Sequence, residues 1–273
     1  MNLLLPAPLL IPLFCAILSL LARKSVGTQR FVAVVGCFLN LLVSACLLYG
    51  VDKEGIQVVQ AGSWPAPYGI SLVVDRLSAI MLVLSGLMGA AVAVFSLAAI
   101  DEPRQKFGFF FFFHTLLMGV NGSFLTGDLF NLYVWFEVML IAALGLLVHR
   151  GRVAALDGTL RYLVLNMVGT LVLLTGIAVV YGATGQLNFA ALAQAPASPL
   201  LAAGVVYAAE PVSISIDTAS NVRSFQREHQ VSYQLLIAEP SVVQLTESLA
   251  MFPASSVSGF YIGHPDAVYF NVG

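Results

Sequence analysis

The stretch Gly127-Asp128-Leu129-Phe130-Asn131-Leu132-Tyr133-Val134-Trp135-Phe136-Glu137-Val138-Met139-Leu140-Ile141 opens an apolar run that continues to Val148. Glu137 is the one charged side chain between Leu129 and Val148. At about 1.5 Å per residue, a helix over this run is long enough to cross a bilayer and puts Glu137 near its middle. A carboxylate at that depth costs about 2.5–3.5 kcal/mol or more to insert, so a chain seldom carries one without use. Two readings are open. Glu137 is a proton or cation site facing a bundle interior, or it is a structural acid bonded to a neighbouring helix.

Composition places the rest of the chain around this run. Of 273 residues, 59% are hydrophobic and 10% charged, against about 25% charged in soluble domains. The mean hydropathy is +0.91. The chain therefore reads as an integral membrane protein through its first three quarters. A net charge of -2 gives no basic stripe for nucleic acid. Cys15, Cys37 and Cys46 lie in apolar runs with neither metal-ligand spacing nor a disulfide pattern, so no metal is expected and no cofactor motif is found. The apolar N-terminus has no basic residue before it; Arg23 and Lys24 follow, so it reads as a retained span.

Six runs have spanning length: Leu3–Leu21, Phe31–Val51, Ile70–Ile100, Phe107–Leu125, Leu129–Val148 and Leu160–Ala183. The fold class is all-α and polytopic. The third run is overlong, so Ser71 to Ser78 are expected at the interface, with Asp75 and Arg76 structural at a helix start. The loops after runs one, three and five carry Arg23, Lys24, Arg30, Arg104, Lys106, Arg150, Arg152 and Arg161. The positive-inside rule puts those loops in the cytoplasm and the N-terminus outside. Phe109 to Phe113 ring the start of run four and read as packing and lipid contact. His114 follows and reads as a bonded packing residue, or as a relay if its helix face meets Glu137. Asn166 and Thr170 share a face at i, i+4 and read as interhelical glue or as the lining of a wet path. Leu187–Ala195 is expected along the membrane surface, and Leu200–Ala209 is too short to span.

From Glu210 onward the composition is that of a soluble protein, so a division is drawn between 1–205 and 206–273. Val212–Ile216 reads as a strand, Ser241–Phe252 as an amphipathic helix, and Val257–Ile262 and Ala267–Val272 as strands around a His264-Pro265-Asp266 turn. The tail is a small soluble α+β piece.

Met118-Gly-Val-Asn-Gly-Ser-Phe-Leu-Thr-Gly-Asp-Leu-Phe-Asn-Leu-Tyr-Val-Trp-Phe-Glu-Val-Met-Leu140 resembles the D-type subunit of the Mrp-type cation/proton antiporters, relatives of the antiporter-like subunits of respiratory complex I. Ile70–Ala79, Arg161–Gly169 and Tyr181–Asn188 carry the same resemblance, which covers about residues 1–205. It implies a longer bundle built from two inverted helical repeats, with an essential ion-transport glutamate falling on Glu137. His114, Asn166, Thr170, Asp128 and Asn131 become candidate relay or lining residues. The expected partners are other membrane subunits, Na+ or K+, protons and the lipid bilayer of the cell membrane. The family's first relay lysine lies beyond the sixth span. This chain has no lysine after Lys106 and no full span after Ala183, so the resemblance implies an unfinished first repeat. The alternatives are a proton-translocating membrane subunit of a complex I-like NADH-quinone oxidoreductase or hydrogenase, and a non-transporting truncated scaffold.

Val243–Val272 resembles the end of the activation domain of cobalamin-dependent methionine synthase, which binds S-adenosylmethionine. That resemblance makes Tyr261 and Ile262 remnants of ligand contacts. The expected origin of the junction is a fusion or a frame shift between residues 205 and 240.

Overall fold

The computed structural model describes residues 4–64, 69–148, 153–196, 198–205, 208, 260–264 and 267–270. These residues are mostly helical and fall into two compact units. The first holds residues 1–168 and 184–195, the second 169–183 and 196–273.

The first unit begins with α1 (Ala7–Leu21) and α2 (Val26–Glu54). Ser25 precedes α2, and its hydroxyl accepts the Thr28 N–H at 3.4 Å. A hairpin follows, β1 (Gln57–Gln60) and β2 (Ser71–Val74), antiparallel, with Gln57 opposite Val74 and Gln60 opposite Ser71. α3 (Arg76–Ala99) starts at once. Asp75 caps it by accepting the Ser78 N–H at 2.7 Å. Arg76 turns away and pairs with Asp52 at 2.9 Å, which matches the expectation that this charged pair serves the helix start. The third apolar run is therefore a strand plus a helix, not a helix throughout.

The short α4 (Glu102–Lys106) leads to α5 (Phe109–Leu125), α6 (Leu129–Val148) and the long α7 (Val153–Thr184). α2, α3, α6 and Gly158–Thr184 of α7 are long and apolar enough to cross a membrane. α1, at 15 residues, and α5, at 17, are shorter apolar helices. Of the six expected runs, these two come out shortest. The molecule is a multi-pass membrane protein, and its exposed surface agrees: Leu21, Phe31 and Phe95 lie 75%, 68% and 72% exposed. Such side chains favour lipid over water.

Packing is by small residues and shape. α1, α2 and α5 pack on one another, α3 packs on α2 and α5, and α6 packs on α5. Leu5, Leu47, Val51, Leu72, Val74, Ala79, Leu82 and Leu125 form one buried cluster near the hairpin. Cys37, Ala90, Ala93, Phe113 and Leu117 form a second. The α5–α6 crossing is close. A side chain at Gly122 would collide with the Trp135 ring, and one at Gly145 with the Phe112 ring.

α8 (Phe189–Leu192) belongs to the first unit and is all that becomes helical of the expected surface segment Leu187–Ala195. In the second unit, residues 169–183 of α7 meet the helical residues 199–205 and Ala208. Gly176 and Gly204 face each other so closely that a Cβ on Gly204 would lie 2.8 Å from the Val180 nitrogen. This is small-residue packing of the kind found in membranes. Further on, β3 (Phe260–His264) pairs antiparallel with β4 (Ala267–Phe270), as the sequence pattern predicts. The expected strand at 212–216, the expected helix at 241–252 and the Pro265-Asp266 turn lie outside the described residues.

Candidate functional site

Glu137 sits on α6, eight residues after its first residue and eleven before its last. Trp135 and Met139 pack against Gly119 and Gly122 of α5, and Gly145 meets Phe112 further along. Helical geometry turns Glu137 by about 160–200° from Trp135 and Met139, so it points away from α5. Phe130, Tyr133, Val134 and Ile141 share that face. Phe130, Val134 and Ile141 are exposed, and Glu137 is half-buried. The Tyr133 hydroxyl, one turn back, donates to the Glu137 carboxylate. The described ion pairs, Arg76–Asp52, Arg104–Asp101 and Lys106–Glu102, all lie at helix ends and leave Glu137 out. Chemically, the arrangement is a carboxylate midway along an apolar helix of spanning length, with one neutral hydrogen-bond donor of its own helix.

Asp128 and Asn131 hold the start of this helix. Asp128 accepts the Asn131 N–H at 2.9 Å, as a capping carboxylate does. Asn131 is buried and donates from Nδ2 to the Thr126 hydroxyl at 2.9 Å. The backbone around them is clamped from two sides. The Gly127 N–H donates to the Ser71 carbonyl at 2.8 Å, tying the turn to β2. The Leu129 N–H donates to the Leu187 carbonyl at 2.9 Å, and the Phe189 N–H to the Gly127 carbonyl at 3.0 Å. Asn188 donates to the Ser71 hydroxyl at 3.3 Å, and that hydroxyl donates to Gln60 at 2.8 Å. The Asn-Gly-Ser-Phe-Leu-Thr-Gly-Asp-Leu-Phe-Asn block thus turns the chain from α5 into α6 and fastens the turn. Ser71, Thr126 and Asn188 are parts of this clamp that sequence reasoning missed. Their partners lie far along the chain, which no local pattern encodes.

His114 is fully buried on α5, with its ring 5.4 Å from that of Phe113. It lies against Gly36 of α2, so it faces away from α6. Neither ring nitrogen has a hydrogen-bond partner among the described residues, where a bonded packing histidine was expected. Asn166 is half-buried and donates to the Tyr162 carbonyl of its own helix at 2.8 Å. Thr170 follows one turn later on α7 and is half-buried. Tyr261 and Ile262 lie in β3, opposite Tyr269 and Val268. Among the described residues no cluster of His, Cys, Asp and Glu has the arrangement of a metal site.

In comparison with known proteins, residues 126–209 match the family model for the transmembrane region of NADH:quinone oxidoreductase and Mrp antiporters, and residues 223–273 match that for the activation domain of vitamin B12 dependent methionine synthase. The D-type subunit of a Na(+)/H(+) antiporter of Alkalihalophilus pseudofirmus is 42% identical over 196 residues, 71% of this chain and 39% of that protein. The D-type subunit of a probable K(+)/H(+) antiporter of Rhizobium meliloti is 38% identical over 68% of this chain and 35% of its own length. Among solved structures, a chain of the Mrp complex from Dietzia sp. aligns with TM-score 0.69 at 27% identity, over 79% of this chain and 41% of that one. A chain of an archaeal membrane-bound sulfane sulfur reductase aligns with TM-score 0.72 at 26% identity, over 78% of this chain and 44% of that one. The resemblance to the D-type antiporter subunits is therefore shown, over a chain that spans about two fifths of the length of the curated relatives it matches.

Proposed function

We propose that this chain, homologous to D-type antiporter subunits over about 70% of its length, works as a membrane subunit of a multisubunit monovalent cation/proton antiporter. Glu137 takes up and releases the translocated proton, and the exchanged cation is Na+ or K+. The observation that carries this reading is the place of Glu137. It is the one charge on α6, it lies midway along the helix, and it sits on the face that α5 leaves open. A carboxylate there needs protein or water opposite it, because lipid would penalise it by several kcal/mol (about 2.5–3.5 on insertion scales). Further spans and partner subunits supply that surface in the assembly. Na+ and K+ bind oxygen ligands, and a carboxylate that alternates between proton and ion neighbours couples the two movements.

Tyr133 orients the carboxylate, which has no ion pair among the described residues. Asp128 and Asn131 set the start of α6 and thereby the depth of Glu137; they position the site and do not touch the ion. The chain lies in the cell membrane with its N-terminus outside, on the strength of the eight basic residues after runs one, three and five. Residues 206–273 are a separate, joined fragment, and Tyr261 and Ile262 are remnants of a ligand site. Full-length chain dialysed against labelled S-adenosylmethionine is expected to retain none of it.

Everted vesicles bearing the complete assembly test the reading. Adding Na+ or K+ to vesicles with an imposed pH gradient collapses that gradient through the wild-type assembly. Glu137→Gln, assembled to the wild-type level, gives only background flux, and Glu137→Asp retains a fraction. Full flux in the Gln variant would make the chain a scaffold. The family match also names NADH:quinone oxidoreductase. If Glu137-dependent proton movement needs an electron donor and quinone and ignores both cations, the redox-driven reading replaces the antiporter.

A further inference from the structure

Among the described residues, five buried side-chain nitrogen or oxygen atoms lack a hydrogen-bond partner: Ser19 Oγ, Asn40 Nδ2, His114 Nδ1, His114 Nε2 and Trp135 Nε1. Three of the five, those of His114 and Asn40, lie on the facing sides of α5 and α2. The links are specific. Cys15 of α1 fills the notch left by Gly36 of α2. The edge of the His114 ring that joins its two nitrogens, Cε1, lies 3.6 Å from where a Gly36 Cβ would be. Asn40 lies one turn beyond Gly36, and its Oδ1 accepts from Asn121 Nδ2 at 3.3 Å. Asn121 lies two turns beyond His114 on α5.

The far end of this seam is fully bonded. Pro12 has no N–H to give to the Pro8 carbonyl, as an ordinary residue at that place in α1 would. Asn121 Nδ2 donates to that carbonyl instead, at 2.8 Å. Ser85 donates to Asn121 Oδ1 at 2.8 Å, and Ser44 donates to the Asn40 carbonyl at 2.8 Å. The near end is different. Asn40 and His114 are 0% exposed, yet each has capacity to spare. A neutral imidazole needs one donor and one acceptor. Leaving such groups bare costs about 1–3 kcal/mol each, whereas leucine at the same places would cost nothing in hydrogen bonds. Buried polar groups in this condition are ordinarily satisfied by ordered water, which takes two to four polar partners.

We propose that the seam between α1, α2 and α5 is a binding site for ordered water, with His114 and Asn40 as its ligands. Among the described residues no charged side chain takes part, and the other titratable groups placed there are the thiols of Cys15 and Cys37. The site lies on the side of α5 opposite to α6, so it is separate from the face that carries Glu137 and does not depend on the function proposed for it. Bound water supplies the partner each nitrogen of His114 lacks, and it gives the imidazole a neighbour with which to exchange protons inside the bundle.

Pulsed X-ray hydroxyl labelling of the full chain in lipid nanodiscs, in water enriched in oxygen-18, tests this directly. Radicals form from the bound water itself and mark only the side chains beside it. His114, corrected for intrinsic reactivity, is expected to take up label several-fold faster than Leu82, which is equally buried but lies in the apolar cluster. Asn40→Leu removes one ligand and is expected to cut His114 labelling several-fold while Leu82 and the exposed Trp64 stay unchanged. If that variant loosens the bundle, Leu82 labels as well, and the wild-type ratio alone decides. Labelling of wild-type His114 no faster than Leu82 would overturn the proposal.

Discussion

Two polar regions of the first unit follow opposite rules. At the turn between α5 and α6, Ser71, Thr126, Asp128, Asn131 and Asn188 bond to one another and to backbone reached from three separate parts of the chain. On the face of α6 two turns further on, Glu137 has a single described hydrogen bond, to Tyr133 of its own helix. The first region is a closed network that fixes shape. The second is a carboxylate with little bonding among the described residues, the condition that the proposed exchange of proton and cation requires. The residues that carry much of the family likeness are thus mainly the fastening, and the proposed ion site is one side chain beside them.

This contrast can be broken or sharpened by substitution, with thermal unfolding in nanodiscs as the readout. The largest effect is expected at the α5–α6 crossing. Gly122→Val drives a side chain into the Trp135 ring and is expected to cost about 1–3 kcal/mol; Trp135 fluorescence should shift with it, and an unchanged spectrum would mean that α6 does not rest on α5. Next come Asn131→Ala and Asn188→Ala, each stranding buried partners in the clamp, at about 1–2 kcal/mol. Tyr133→Phe removes a bond on the open face and should leave stability within about 0.5 kcal/mol, although it alters proton flux. If Tyr133→Phe proved the more destabilising, the division between fastening and working site would be wrong. Asp75→Ala, which removes the α3 cap, is expected to cost about 1 kcal/mol. Arg76→Ala opens an ion pair whose side chains are 72% and 58% exposed and should cost well under about 1 kcal/mol.

What the sequence made legible follows from which forces are local. The α6 span and the depth of Glu137 could be read because a run of apolar residues states its own length and a single acid within it states its own oddity. Asp75 and Arg76 were readable as a helix start for the same reason, since capping acts over three residues. The hydrogen bonds of Asp128 and Asn131 were not. As candidates for lining a path the two residues look the same as clamp residues until Ser71 and Asn188, 57 and 60 residues away from them along the sequence, are brought alongside. The β1–β2 hairpin was missed because four-residue strands give too short an alternation to separate from a loop. The face of His114 depends on how α5 rolls against α1 and α2, which no local pattern encodes; the missing side chain of Gly36 makes room for Cys15 of α1.

The central claim is that Glu137 is a membrane-depth carboxylate that binds a proton in exchange with a cation. Carbodiimide labelling of the assembled protein tests it most directly, because the reagent modifies protonated acids in apolar surroundings. The account predicts that residue 137 is labelled, that flux falls in step with labelling, and that high Na+ or K+ slows the reaction. Labelling of residue 137 with undiminished flux, or no labelling there while flux continues, would contradict it.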